Sequence, residues 1–433
     1  MASPRRSSGR LLALQHRDFR LLWLAVVTAT VGLHMQTIAA NWHVYALLRD
    51  AAPTLTLFGR TVELNAGALG LGGLGLVRWA PLLIFALAGG ILADTRNRRK
   101  LLMATYAASL LLALLLALLT FSGKVSLLAI YAIIAGLTAL QAIEYPARES
   151  LLPNLVPRDH LTNAVSLTAM TNVIGAITGP ALSGLLLDRG QIAAVYALHS
   201  ASYLPALAAL ALIRYSGAVR QGVRLTRADL AEGFRFTFRT HMIRSTMLLD
   251  FFATLLGSAR TLLPIVADQG LGIGAGGYGF LATAQPLGSL LAGTLVSLRR
   301  DIYRQGLIFL VCIGAYGLGT AFFGLSTVFA LSYVLFAITG AADTISSIIR
   351  GAIRQLWTPD NLRGRMVGVN MIFYMGGPQL GEVRAGLVAA LLGAPAAIVS
   401  GGLMAASLAL WVGWRDRRLR RYTSADMPVA AGG

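Results

Sequence analysis

Seven ionisable side chains, Arg78, Glu144, Asp250, Arg260, Asp343, Glu382 and Arg384, stand within long apolar stretches of this sequence. A charge at the centre of a bilayer costs about 2.5–3.5 kcal/mol on insertion scales, so each needs a partner, a wet cavity or a function. The acids Asp343, Asp250, Glu382 and Glu144 have the chemistry of proton carriers, because a carboxyl shielded from water can exchange its proton in a working pH range. His34 joins them as an imidazole, the side chain whose charge changes near neutrality. Two uses are open to Arg78 and Arg260: binding an anionic ligand, or neutralising the acids. Arg384 and Gln36 extend the set of polar groups suited to lining a small-molecule cavity. Glu144 and Arg148 are four apart, the favourable order for an ion pair along one helix.

The elements that must hold these groups are set by composition. Of 433 residues, 56% are hydrophobic and 13% are charged, and the mean hydropathy is +0.67. A soluble domain carries charge on about a quarter of its residues, so this chain needs lipid as solvent. Apolar runs long enough to cross roughly 30 Å of hydrocarbon recur at 20–46, 65–93, 101–121, 126–147, 163–187, 191–213, 246–267, 273–297, 305–325, 327–348, 366–392 and 394–414. Backbone groups find no water in lipid, and the alternation of a barrel strand is absent, so these twelve runs predict an all-α membrane protein. The first run is too long for the core of a signal peptide and is expected to be retained.

Composition also excludes other classes. The net charge of +19 would suit nucleic acid only as a patch on a soluble domain, and here the basic residues sit between apolar runs. Cys312 is the single cysteine, so neither a disulfide framework nor a cysteine zinc site is available. No metal-binding spacing, Gly-x-Ser-x-Gly elbow or phosphate-binding Gly-Lys-Ser/Thr loop is present, which argues against an enzyme, a metal, a cofactor and ATP-driven work.

Orientation follows from the cations, which short cytoplasmic loops retain. With the N-terminus inside, thirty of the 37 Lys and Arg residues fall in cytoplasmic segments, and Arg49, Arg60, Lys124 and Arg189 fall outside. Both termini are then cytoplasmic. On this frame His34 and Arg78 lie near the midplane, Arg260, Glu382 and Arg384 in the outer half, and Glu144, Asp250 and Asp343 about one turn from the cytoplasmic face. The predicted order is a cytoplasmic segment 1–19, a six-helix bundle 20–213, a linker 214–245, a second six-helix bundle 246–414 and a tail 415–433. Within the linker, Leu230, Phe234 and Phe238 at helical spacing beside Arg235 and Arg239 suit either a helix on the cytoplasmic leaflet or a solvated connection. Arg148 to Leu161 is echoed by Arg354 to Leu362, which marks the halves as repeats.

The loop Gly90-Ile-Leu-Ala-Asp94-Thr-Arg96-Asn-Arg98-Arg99-Lys100 resembles the loop pattern of the major facilitator superfamily. Thr95 replaces a usual basic residue and Asn97 a usual glycine; asparagine keeps a left-handed turn available there. The resemblance implies a cytoplasmic latch built on Gly90, Asp94, Arg98 and Arg99, with Gly90 permitting close helix approach. Gly175-Ala-Ile-Thr-Gly179-Pro180-Ala-Leu-Ser183-Gly184 resembles the fifth-helix signature of facilitator exporters, with Ser183 for one glycine and a possible partner face at Gly276, Gly277, Gly279 and Gly288. Pro146-Ala-Arg148 to Pro157, Gly233-Phe-Arg-Phe236 and Thr358-Pro359 to Gly368 are similar to the branch that holds enterobactin exporters and macrolide-efflux proteins.

This resemblance implies two pseudo-symmetric six-helix bundles and secondary active efflux of a small amphipathic molecule, siderophore or drug, by alternating access with proton antiport. It implies a monomer in a bacterial inner membrane whose partners are substrate, protons and lipid. A facilitator importer and a non-transporting sensor or scaffold are the alternatives. The importer does not carry the fifth-helix signature, and the scaffold needs neither motif.

Overall fold

The structure, a computed structural model, describes residues 12–51, 53–57, 60–215, 227–298, 302–359 and 362–426. Its helices are α1 (Arg17–Leu48), α2 (Ala66–Thr95), α3 (Arg98–Phe121), α4 (Leu127–Leu151), α5 (Leu161–Leu187), α6 (Ile192–Leu212), α7 (Arg227–Arg239), α8 (His241–Gly257), α9 (Leu263–Ile265), α10 (Gly274–Leu298), α11 (Gln305–Leu325), α12 (Phe329–Trp357), α13 (Arg363–Leu392), α14 (Ala394–Arg415) and α15 (Arg417–Arg421). One short antiparallel hairpin, β1 (Thr54–Leu57) with β2 (Arg60–Glu63), interrupts them between α1 and α2.

Among the described residues, eleven helical stretches are long and apolar enough to span a membrane. The remaining expected span is α13, which has 30 residues but whose hydropathy is diluted by Asn370, Gln379, Glu382 and Arg384. The chain is thus a nearly all-helical, multi-pass membrane protein. The seventh span is not one helix. Ser258 turns to an extended conformation after α8, a 3-10 turn covers Arg260–Leu262, and a π turn covers Val266–Gly270. Pro264 opens α9, where its missing N–H leaves no bond unmade.

The chain divides into two compact units, Met1–Thr37 with Pro81–Gly179 and Gln191–Val223, and Ile38–Ala80 with Pro180–Gly190 and Arg224–Gly433. The division cuts through α1, α2 and α5. The core of the first unit gathers Phe19, Leu22, Leu102, Tyr106, Leu151, Tyr203 and Leu210. In the second unit one core cluster gathers Leu249, Phe309, Ile349, Ile353 and, from the short α15, Leu419.

Two local expectations are corrected. A Cβ on Gly90 would meet nothing within 4 Å, whereas one on Gly89 would fall onto the Ala142 carbonyl and 2.9 Å from the Ile143 Cα. Adjacent helical residues differ by about 100° in direction, and the close approach belongs to Gly89. Asn97 is not left-handed: with φ −62° and ψ 112° it is the N-cap of α3, its side chain accepting from the Lys100 N–H. The linker holds a helix, α7, that also packs within the second unit. Phe234 and Phe238 of α7 stack at 4.7 Å and both pack on Phe373 of α13, and Gly233 lies against Arg365. The Leu230 side chain lies outside the described residues.

Candidate functional site

The polar groups of the second unit form a line through apolar packing. At one end of it, Arg78 of α2 donates to the Asn41 Oδ1 of α1 at 2.8 Å and reaches the Glu382 carboxylate of α13 at 3.6 Å. Tyr278, fully buried beside Asn41, stacks on Trp42 at 5.9 Å. A guanidinium can serve two acceptors at once because its donors form a rigid fork. These groups meet because α2 and α13 cross closely: a Cβ on Gly75 would lie 2.7 Å from the Gln379 carbonyl, and one on Gly72 would lie 3.0 Å from the Gly386 Cα. The Thr261 hydroxyl fastens the broken seventh span to α2 by donating to the Leu71 carbonyl at 3.0 Å.

From there the line continues through Arg260, whose Nε donates to the Gln285 Oε1 of α10. The Gln285 amide donates in turn to Thr339 of α12 at 3.3 Å. Arg260 lies within electrostatic reach of both Glu382 and Asp343. At the far end, Arg350 of α12 pairs with Asp250 of α8 and with Asp343 at 3.5 Å. Arg350 is 2% exposed, while the Asp343 side chain is 43% exposed. Of the two carboxylates, Asp250, with a side chain 9% exposed, is the less accessible and Asp343 the more accessible.

Arg350 is the functional candidate that the sequence hid. It follows an apolar run, where a cation reads as a loop residue, but α12 continues to Trp357 and carries it inside. Asp343 accordingly sits at the midpoint of α12. Positions seven apart fall on one helix face, so the spacing of Asp343 and Arg350 was the available signal. Asn41, Tyr278 and Gln285 were also missed; uncharged and distant in sequence, they give no pattern.

Other candidates lie elsewhere. Glu144 accepts from Tyr106 at 3.2 Å and pairs with Arg148 at 3.4 Å, within the first unit. Arg384 turns away from Glu382, as residues two apart on a helix do, and donates to the Ala397 carbonyl of α14 at 3.3 Å. Gln36 is buried in α1. His34 packs on the fifth helix, where Cβ atoms on Gly175 and Gly179 would press on its side chain. Gly184 meets Gly276 and Gly279 of α10, with the Pro180 carbonyl also beside Gly279, while Gly288 meets Ala337 of α12 and Gly277 packs on its own Ile273. In the loop after α2, Arg98 donates to the Ala93 carbonyl at 3.3 Å, and Arg99 donates to the last carbonyls of α6 at Leu210 and Ala211. The Asp94 side chain lies outside the described residues.

Arg78→Lys tests the two-armed contact. An ammonium keeps the charge but cannot reproduce the fork, so the variant is expected to elute and melt like the parent. For the transport that the resemblance implies, the rate is expected to fall by roughly tenfold, the loss of about one charged hydrogen bond. Rates in reconstituted vesicles check this.

Comparison with known proteins adds the context. Residues 8–430 match the profile of a family described as Transmembrane secretion effector. The chain is similar to Enterobactin exporter EntS of Escherichia coli O6:K15:H31 (strain 536 / UPEC), 26% identical over 419 residues and 96% of each protein. It is also similar to Enterobactin exporter EntS of Shigella boydii serotype 4 (strain Sb227), 26% identical over 87% of this chain and 86% of that one. Among solved structures, a bacterial homolog of the human lysosomal transporter Spinster aligns at TM-score 0.69 and 14% identity, covering 94% of this chain and 98% of the other. The nucleoside transporter NupG aligns at TM-score 0.71 and 12% identity, covering 92% and 99%. At such identities the likeness is one of fold.

Proposed function

Because the chain belongs to the transmembrane secretion effector family and is an exporter-type transporter of the major facilitator fold, we propose that it expels a small amphipathic molecule, siderophore or drug, by alternating access driven by proton entry. The observation that carries this reading is the line of polar groups from Arg78 and Glu382 to Asp343 and Arg350. A merely structural membrane bundle has no use for so many desolvated charges, because ion pairs replaced by apolar side chains cost nothing or stabilise. The half-open Asp343 carboxylate is the proton carrier of choice: protonation would release its hold on Arg350 and so change what binds α12 to α8. Asp250, Glu382, Glu144 and His34 are held more closely by their surroundings.

The cationic fork of Arg78 suits a catecholate or other anionic group on the cargo, in keeping with the enterobactin exporters that the chain resembles. The two halves, 20–213 and 246–414, act as the rocking bodies, and the loop with Asp94, Arg98 and Arg99 as the latch between states. The tight glycine contacts of α2 with α13 and of α5 with α10 support such a cycle, since they close without intervening side chains. The reading includes a monomer in a bacterial inner membrane with both termini cytoplasmic, supported by the placement of the basic residues.

The test is reconstitution of the protein in liposomes with a catecholate siderophore or an amphipathic dye on the cytoplasmic side. Movement of the cargo that accelerates with an imposed inward proton gradient is expected. Transport indifferent to that gradient would remove the antiport, and loading in the opposite direction would make the protein an importer.

A further inference from the structure

We infer that the cleft between α8 and α14 is a binding site for one anionic phospholipid of the surrounding bilayer. Two stripes converge there. On α8, Arg244, Leu248 and Phe252 recur every four residues, and on α14 Trp411 and Arg415 are also four apart, so each helix shows a cation at its end and apolar surface deeper in. Between them lies a cavity of about 670 Å³, whose lining includes all five of these residues together with Arg418.

The cations of the mouth are available. Arg415 and Arg418 have no side-chain partner among the described residues, and Arg244 makes one long bond, 3.3 Å to the Phe238 carbonyl. The acid of the lining, Asp416, is already committed: it accepts from the Leu419 N–H and the Ser245 hydroxyl at 2.9 Å and lies 3.3 Å from His241. Below the mouth, Trp411 is 59% and Phe252 44% exposed. Free phosphate would leave that apolar stem bare, and a neutral hydrocarbon would leave the arginines unused. An amphiphile with a phosphodiester head and an acyl chain uses both, and the bilayer supplies it at high local concentration. A lipid seated there would brace the first turn of α8 against the end of α14.

Native mass spectrometry of the full chain, released from micelles holding either palmitoyl-oleoyl phosphatidylglycerol or the phosphatidylcholine of the same chains, tests the site. The wild type is expected to retain phosphatidylglycerol at least about tenfold better. Arg415→Gln with Arg418→Gln is expected to weaken that retention roughly 30-fold, about 2 kcal/mol for two cations. Leu248→Trp, which fills the stem and leaves the arginines in place, is expected to expel the lipid too. Arg20→Gln with Arg158→Gln, cations of the first unit that do not line the cleft, is expected to change nothing. Equal retention of the two lipids overturns the proposal, as does a cleft variant that binds like the wild type. Competition by inorganic phosphate at the lipid's own concentration would reassign the cleft to a free anion and overturn it as well.

Discussion

Arg350→Met is expected to destabilise the folded protein by about 3–5 kcal/mol, the cost of stranding a buried charge without its partner. Arg350 is 2% exposed and joins Asp250 of α8 to Asp343 on its own helix. Methionine fills much of the same space, so packing loss contributes little and the unpaired Asp250 carboxylate contributes most. Asp250 is itself only 7% exposed, so little water reaches its charge. Thermal unfolding in detergent measures the effect. Combining Arg350→Met with Asp250→Leu is expected to restore most of the loss, because an apolar pair of similar volume needs no partner. If the double variant is as unstable as the two single losses added together, the two side chains do not act as a pair. The same substitution frees the Asp343 carboxylate, so the proton dependence of transport should change even in the rescued double variant.

Gly386→Leu is expected to cut the transport rate at least roughly tenfold while leaving a folded, membrane-inserted protein. A Cβ at that position would fall onto the Gly72 Cα and 2.7 Å from the Ala68 carbonyl, both backbone atoms of α2 that cannot turn aside. Overpacking of this kind costs about 1–3 kcal/mol, and it is charged only to the state in which α2 and α13 touch. The crossing also sets the separation of Arg78 from Glu382, since Gly75 and Arg78 share one face of α2 and Glu382 and Gly386 one face of α13. Gly386→Ala is expected to show a smaller loss of the same kind. Vesicle transport rates measured beside melting temperatures separate the two effects. A Gly386→Leu protein that transports at the parental rate would show that this contact is not made and broken during the cycle.

Much of the fold was legible because insertion into lipid is decided locally. Each apolar run states its own transfer free energy, so the spans at 101–121, 191–213 and 305–325 lie close to α3, α6 and α11. Glu144 with Arg148 was legible for the same reason, both ends of the pair lying on one turn of one helix. Where the reading went astray, the missing information was helix phase or helix length. Gly90 and Gly89 are indistinguishable until α2 has a rotation about its axis. Arg350 looks like a loop cation until α12 is known to run on past Ile348. Asn97 looks like a left-handed turn until α3 is seen to begin beside it.

The sequence by itself determined that this chain threads a bilayer, where its helices run and which motifs it shares with facilitator exporters. Tertiary structure alone decided which buried charges meet between helices. Arg78 finds Asn41 on one neighbouring helix and Glu382 near the far end of the chain, and Arg350 finds Asp250, because helices cross at particular rotations and depths. Solvation is a sum over single residues and can be read along the chain. Charge pairing falls off within a few ångströms and depends on how separate helices are turned against one another, which no stretch of sequence records.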